Sequence, residues 1–136
     1  MSVLFKNSSV TLYNKYFDAS TGYDKYQRTV IKDVNWNNKR NATVTNTGLL
    51  MADSTRIIID KSVNYISPKQ FAKLSNTERV NHFTFVMADK IVKGEIDFEI
   101  TGIKPYAVAN LESGFDNVVN IISVRELSDH FEVEGK

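Results

Sequence analysis

Tyr26-Gln27-Arg28-Thr29-Val30-Ile31-Lys32-Asp33-Val34-Asn35-Trp36 sets the fold class. Tyr26, Arg28, Val30, Lys32, Val34 and Trp36 fall on one face of an extended chain, and Gln27, Thr29, Ile31, Asp33 and Asn35 on the other. Its β-branched and aromatic side chains suit a pleated, half-buried surface, so the stretch predicts a long strand. Working outward, Val10 and Leu12 alternate with Thr11 and Tyr13 as a short strand, and Asp18 to Asp24 carries the Ser-Thr-Gly composition of a turn. On the other side, Asn35 to Asn46 is rich in Asn, Lys and Arg. It reads as a hairpin loop with a short strand, Ala42 to Thr45, on its far side.

Further along, Gly48 to Ser54 reads as a connection, and Thr55 to Asp60, with Ile57-Ile58-Ile59, as a strand. Ser67-Pro68 is the clear helix start, a capping hydroxyl followed by proline at the first helical position, with Phe71 and Leu74 on one face and an end near Asn76 or Thr77. Asn81 to Met87 is apolar and extended. Asp89 to Ile100 alternates most cleanly, Ile96, Phe98 and Ile100 against Glu95, Asp97 and Glu99, and reads as a half-buried strand with Gly94 as a bulge or strand end. Pro105 to Gly114 is irregular or briefly helical. Asn117 to Leu127 is apolar on both faces, as in a central strand, and Phe131 and Val133 mark a last strand. The expected fold is mainly β: a small antiparallel barrel or sandwich with one short helix and long loops, one domain over residues 1–136.

The composition narrows the function classes. With 136 residues, 42% hydrophobic and 24% charged, the chain can bury an ordinary core. A net charge of +1 gives no global footprint for nucleic acid or an anionic surface. There is no cysteine, hence no disulfide, thiolate metal site or cysteine nucleophile. Val3, Leu4 and Phe5 are too short a run for a signal sequence, and no stretch approaches the length of a membrane span. The two histidines, His82 and His130, do not sit at metal-binding spacing. No phosphate loop or nucleophile elbow occurs. Asp129-His130 reads as a turn pair before a strand rather than a catalytic dyad. Glu95, Asp97 and Glu99 read as a solvated strand face rather than the acid pair of a glycoside hydrolase. No cofactor, metal or catalytic residue is expected. The loop with Trp36, Lys39, Arg40 and Asn41 joins an aromatic to two cations and amides, and reads as a polar hairpin tip able to touch phosphates.

Several segments resemble, in order, a family of small phage and prophage minor structural proteins of Gram-positive hosts. They are Val10-Thr11-Leu12-Tyr13-Asn14-Lys15, then Tyr26 to Trp36 with its Val-x-Trp end, then Ala52-Asp53-Ser54 with the Ile57 to Ile59 strand. Asp89-Lys90-Ile91-Val92-Lys93-Gly94-Glu95 follows. The C-terminal Asp129-His130-Phe131-Glu132-Val133-Glu134-Gly135-Lys136 is similar to a His-Trp-x-Val-x-Gly ending, with Phe131 in place of the Trp. The resemblance implies a head–tail connector of the virion neck, a head-closure (stopper) protein assembled in the bacterial cytoplasm. It implies a homo-oligomeric ring on the DNA channel between a portal or adaptor and the tail terminator or tail tube, touching double-stranded DNA non-specifically and no membrane. Tyr23, Trp36, Lys39, Arg40 and Asn41 are the expected oligomer or channel contacts. A tail-terminator ring is the alternative within this class. A carbohydrate- or ligand-binding β domain, resting on the acidic face and on Tyr13, Tyr16, Tyr23 and Tyr26, is the alternative outside it.

Overall fold

A computed structural model describes residues 6–45 and 48–136, and between 39 and 53 it describes the backbone alone. Six strands form a closed antiparallel barrel in the order β1-β2-β3-β6-β5-β4. They are β1 (Ser8–Asp18), β2 (Tyr23–Thr45), β3 (Gly48–Asp60), β4 (Lys90–Lys93), β5 (Val118–Glu126) and β6 (His130–Gly135). The barrel, not the sandwich, is thus the architecture.

Two strands turn the corners. β2 pairs with β1 from Tyr23 to Val34, then crosses to pair with β3 from Asn35 onward. At the crossing the β1–β2 register shifts between Ser8 and Val10, and Asp33 sits at a φ of 59°. β5 pairs with β4 over Val118 to Asn120 and with β6 from Ile121, with a register shift between Ile121 and Ser123. Strands that change sheets through such irregularities make the corners of orthogonally packed β structures. The irregularity in β5 corrects the expectation of a central strand covered on both faces. Ile121 points inward, Ile122 is 42% exposed, and Val124 returns to pack on the core.

The inner face of the barrel holds Val10, Leu12, Val34, Trp36, Ile57, Ile59, Ile91, Val119, Ile121, Phe131 and Val133. Phe83 and Phe85, from the segment after the helices, complete it, and Tyr65, Phe85 and Phe131 meet ring to ring at 4.4 to 5.5 Å. A second cluster lies outside, where Tyr13, Val92 and Leu111 are covered by Ile96, Phe98, Ile100 and Phe115. The strand expected over Asp89 to Ile100 is therefore only four residues long. Gly94 at a φ of 97° ends it, and residues 95–100 run on without a ladder, Ile96, Phe98 and Ile100 half-buried and Glu95, Asp97 and Glu99 exposed.

Closure depends on this short β4, and β1 side chains extend the contact at both ends. Thr11 Oγ1 donates to Gly94 O (2.8 Å) and accepts from Ile96 N (3.0 Å). At the other end Asp89 Oδ1 accepts from Lys15 N (3.1 Å) and Asp89 Oδ2 from Asn14 Nδ2 (2.8 Å). The Asn14 amide also grips the backbone of Thr84, donating to its carbonyl and accepting from its N–H. Thr11, Asn14 and Asp89 are all buried, so these side chains replace backbone partners that water cannot supply.

The helices are α1 (Pro68–Lys73), α2 (Asn76–Arg79) and α3 (Val108–Gly114); the one clear helix expected is split into α1 and α2, and α3 lies in the segment expected to be irregular or briefly helical. Ser67 caps α1, its Oγ accepting from Gln70 N, with Pro68 in the first turn. The chain extends at Leu74, and Ser75 caps again. The strand expected over Ala42 to Thr45 is present, but the loop expected before it and the connection expected over Gly48 to Ser54 are corrected: residues 35–45 and 48–54 belong to the paired strands β2 and β3.

Burial raises the Asp89 carboxyl from its ordinary value to about 6, hydrogen bonds from Asn14 and the Lys15 backbone and the Lys15 charge notwithstanding. The folded state then holds a proton where the unfolded chain has lost it. The stability this group contributes is full below about pH 4 and is lost as the pH rises through 6, about 3 kcal/mol in all. Asp18 works in the opposite sense: Lys25, Ser20 and Asn76 hold its carboxyl well below the usual range, so its contribution is lost as the pH falls below that range. Urea denaturation between pH 4 and 7 should show stability falling through the Asp89 window, and Asp89→Asn should flatten that slope. Thr11→Val, which removes the side-chain partner of the part-buried Gly94 O and Ile96 N, should lower stability by about 1–3 kcal/mol, with Thr11→Ser closer to wild type.

Candidate interaction surfaces

The main candidate surface is the β2–β3 arm. β3 pairs with β6 as far as Thr55↔Gly135, and β1 leaves β2 at Val34. Beyond these points β2 and β3 pair only with each other among the described residues, through seven rungs from Lys39↔Ser54 to Thr45↔Gly48. At about 3.3 Å per residue this ribbon reaches roughly 20 Å past the barrel. Its base is fixed by Asn7, whose side chain accepts from Trp36 N (2.9 Å) and donates to Trp36 O (3.1 Å), standing in for one more residue of β1.

The five expected contact residues separate. Trp36 is 5% exposed and belongs to the core, its Nε1 donating to Asn38 Oδ1 at 3.1 Å, so it is not a surface contact. Tyr23 is 73% exposed but lies at the β1–β2 turn, the far end of β2 from the arm. Sixteen residues of strand, roughly 50 Å of chain, separate it from Lys39. The backbone of Lys39, Arg40 and Asn41 runs in the arm, and their side chains lie outside the described residues. The structure thus does not gather the five into one patch.

The second feature is at the turn end of β1 and β2, where the Phe17 to Tyr23 loop is an expected contact element. Phe17 is 62% and Met87 68% exposed, and they line one shallow groove with Tyr16, Tyr26 and Val86. A neighbouring cavity of about 610 Å³ runs under α1 and α2, lined by Phe17, Asp18, Phe71 and Arg79 among others. Arg79 is buried there without acting on it. Its guanidinium donates to Phe71 O, Leu74 O and Asn76 Oδ1 and lies 4.5 Å over the Tyr16 ring. The pairing of two caps through this one arginine carries no signal in local sequence.

The chemical candidates are engaged elsewhere. Arg28 holds Glu99 at 3.0 Å, and Lys32 lies 3.9 Å from Glu95, so cations on β2 neutralise two of the three carboxylates. Tyr13 is buried and donates to Phe98 O at 2.6 Å, Tyr16 lies under Arg79 and Tyr26 is half-buried, which leaves Tyr23 alone fully exposed. His130 Nδ1 meets Asp129 Oδ1 at 2.6 Å, and its Nε2 lies 3.7 Å from Glu132, so both ring nitrogens face carboxylates. That hydrogen bond holds the Asp129 carboxyl below its ordinary value. Among the described residues no group of three or more acidic, histidine or cysteine side chains is placed to hold a metal, and no helix is long and apolar enough to cross a membrane.

The geometry defines a closed β-barrel protein whose prominent feature is a projecting two-stranded arm. The chain belongs to the Family of unknown function (DUF6751), which it matches over residues 5–136. No curated protein and no solved structure matches it.

The different roles of the two aromatic residues can be measured. Trp36→Ala should cost about 3–5 kcal/mol of folding stability by opening a cavity in the core. Tyr23→Ala should change it by under about 0.5 kcal/mol, as at an ordinary surface position, when both are compared by urea denaturation.

Proposed function

We propose that the chain is a virion structural protein, a ring-forming subunit of the phage neck that joins head to tail around the DNA channel and helps close the head. The observation that carries this reading is the seven-rung arm standing off a closed barrel. A barrel core satisfies itself, whereas a projecting ribbon has open edges that a neighbouring chain can complete. A ring needs such an asymmetric contact, in which one surface of each subunit meets a different surface of the next. The ordered resemblance to neck proteins supplies the setting, with a portal or adaptor on one side and a tail terminator or tail tube on the other. Lys39 and Arg40, in the arm, are the cations we assign to non-specific contact with the DNA backbone. The paired carboxylates and the packed tyrosines favour this assembly role over sugar binding.

Gold label directed at this chain on disrupted phage particles should sit at the head–tail junction. Label on the capsid shell or at the tail tip overturns the assignment.

A further inference from the structure

We propose that the open edge of β2 along Thr29 to Lys32 is a strand-addition site, and that the strand it accepts is the outer edge of the β2–β3 arm of a second copy. This deepens the ring reading and rests on it.

The site follows from the corner in β2. Below the crossing, β2 has β1 on one side, while β3 joins its other side only from Asn35 upward. Beside Thr29, Val30, Ile31 and Lys32 the chain instead leaves a cleft of about 550 Å³, with Ile59 to Ser62, Asn64 and Val80 to Phe83 as its far walls. One step lower the protein closes the gap itself: Gln27 Nε2 donates to Arg79 O (2.9 Å) and His82 O (2.7 Å). No such side-chain bridge spans the gap beside Thr29 to Lys32 among the described residues. Val80, on the cleft wall, is 68% exposed.

The occupant follows from the arm. Residues 41–52 form a run of twelve without a charge or a proline, and Ala42-Thr43-Val44-Thr45 has high strand propensity. Natural sheet edges are usually protected by charges, prolines or bulges. An unprotected ribbon is suited to being covered. It cannot reach its own cleft, because both lie on β2 and the arm points away from the cleft along the same strand. The partner is therefore another copy, and the contact is head to tail, the kind that closes into a ring. Backbone hydrogen bonds would carry the contact, and the polar walls (Asp60, Lys61, Ser62, Asn64, Asn81) suit the threonines of the arm.

The chain has no cysteine, so introduced thiols report cleanly. Lys32→Cys, where the native side chain is 71% exposed, marks the cleft, and Thr43→Cys marks the arm. Under mild oxidation at high protein concentration, a mixture of the two single variants should give a disulfide-linked pair, and the double variant a ladder of covalent multimers. A Lys32→Cys chain lacking residues 41–52 should keep its thermal midpoint and still cross-link to the Thr43→Cys chain, because the deletion leaves its cleft in place. Absence of the mixed pair, with both thiols shown to react with a maleimide, overturns the proposal. So does Thr43→Cys linking to itself as readily as to Lys32→Cys, which would mean arm on arm. Label at the neck without the mixed cross-link would remove this inference alone, and the cross-link with label elsewhere would remove the neck assignment alone.

Discussion

Closing a six-stranded barrel with a four-residue strand is the constraint on which the rest of the structure depends. β4 offers β1 only the pairs Val10↔Lys93 to Tyr13↔Lys90. A ladder that short leaves backbone groups unpaired at both ends, Gly94 O and Ile96 N just past β4 and Lys15 N on β1, at about 1–3 kcal/mol each where water cannot replace the partner. Thr11 at one end, and Asn14 with Asp89 at the other, supply those partners from side chains. The consequences spread outward. The bond from Thr11 fixes where residues 95–100 leave the barrel, which sets the second apolar cluster over Tyr13 and Val92. The Asn14 amide fixes Thr84, and with it the placement of Phe83 and Phe85 in the core. Asp89 does its work at the cost of carrying a carboxylate into a buried site, so its protonation is linked to the folding of the barrel.

Gly135 shows a second geometric limit. A Cβ there would stand 2.7 Å from Val119 Cγ2 and 2.9 Å from Val119 Cβ, closer than side-chain carbons approach. β6 and β5 come together there because the β5 register shift brings Ile121 opposite Gly135. A glycine at the end of the C-terminal strand thus has a packing reason independent of any role in assembly, and the corner of the barrel is what demands it.

The sequence revealed those features whose cause is local. Tyr26 to Trp36 reads as a strand because β-branched and aromatic side chains need a pleated surface, and Ser67-Pro68 reads as a helix start because capping is a contact between near neighbours. Asn37 to Arg40 misleads, since Asn, Lys and Arg are poor strand formers and only the partner β3 makes them extended. Residues 95–100 mislead in the other sense. Their alternation is real in burial, but half-burial on an outer cluster needs no ladder, and period alone cannot tell the two apart. Trp36, taken as an exposed aromatic in a cationic loop, is core because the strand continues through it. The contact surfaces were the least legible part: the cleft beside Thr29 to Lys32 exists only because β2 changes sheets, and one local signal, Asp33, a residue type that tolerates the left-handed conformation it adopts, marks that place.

The same corner explains why fold and assembly are tied in this chain. A strand that served only one sheet would end at Val34, the barrel would have a full-length neighbour on each side of β2, and neither arm nor cleft would exist. By crossing over, β2 leaves an open edge below the crossing and carries surplus strand above it. The surplus is uncharged and the open edge is polar and accessible, so each is suited to the other's backbone rather than to water alone. They lie along one strand, which holds them at a fixed separation and in fixed relative orientation. A repeated contact between rigidly related surfaces generates a defined rotation from copy to copy, and the twist of β2 would set that rotation.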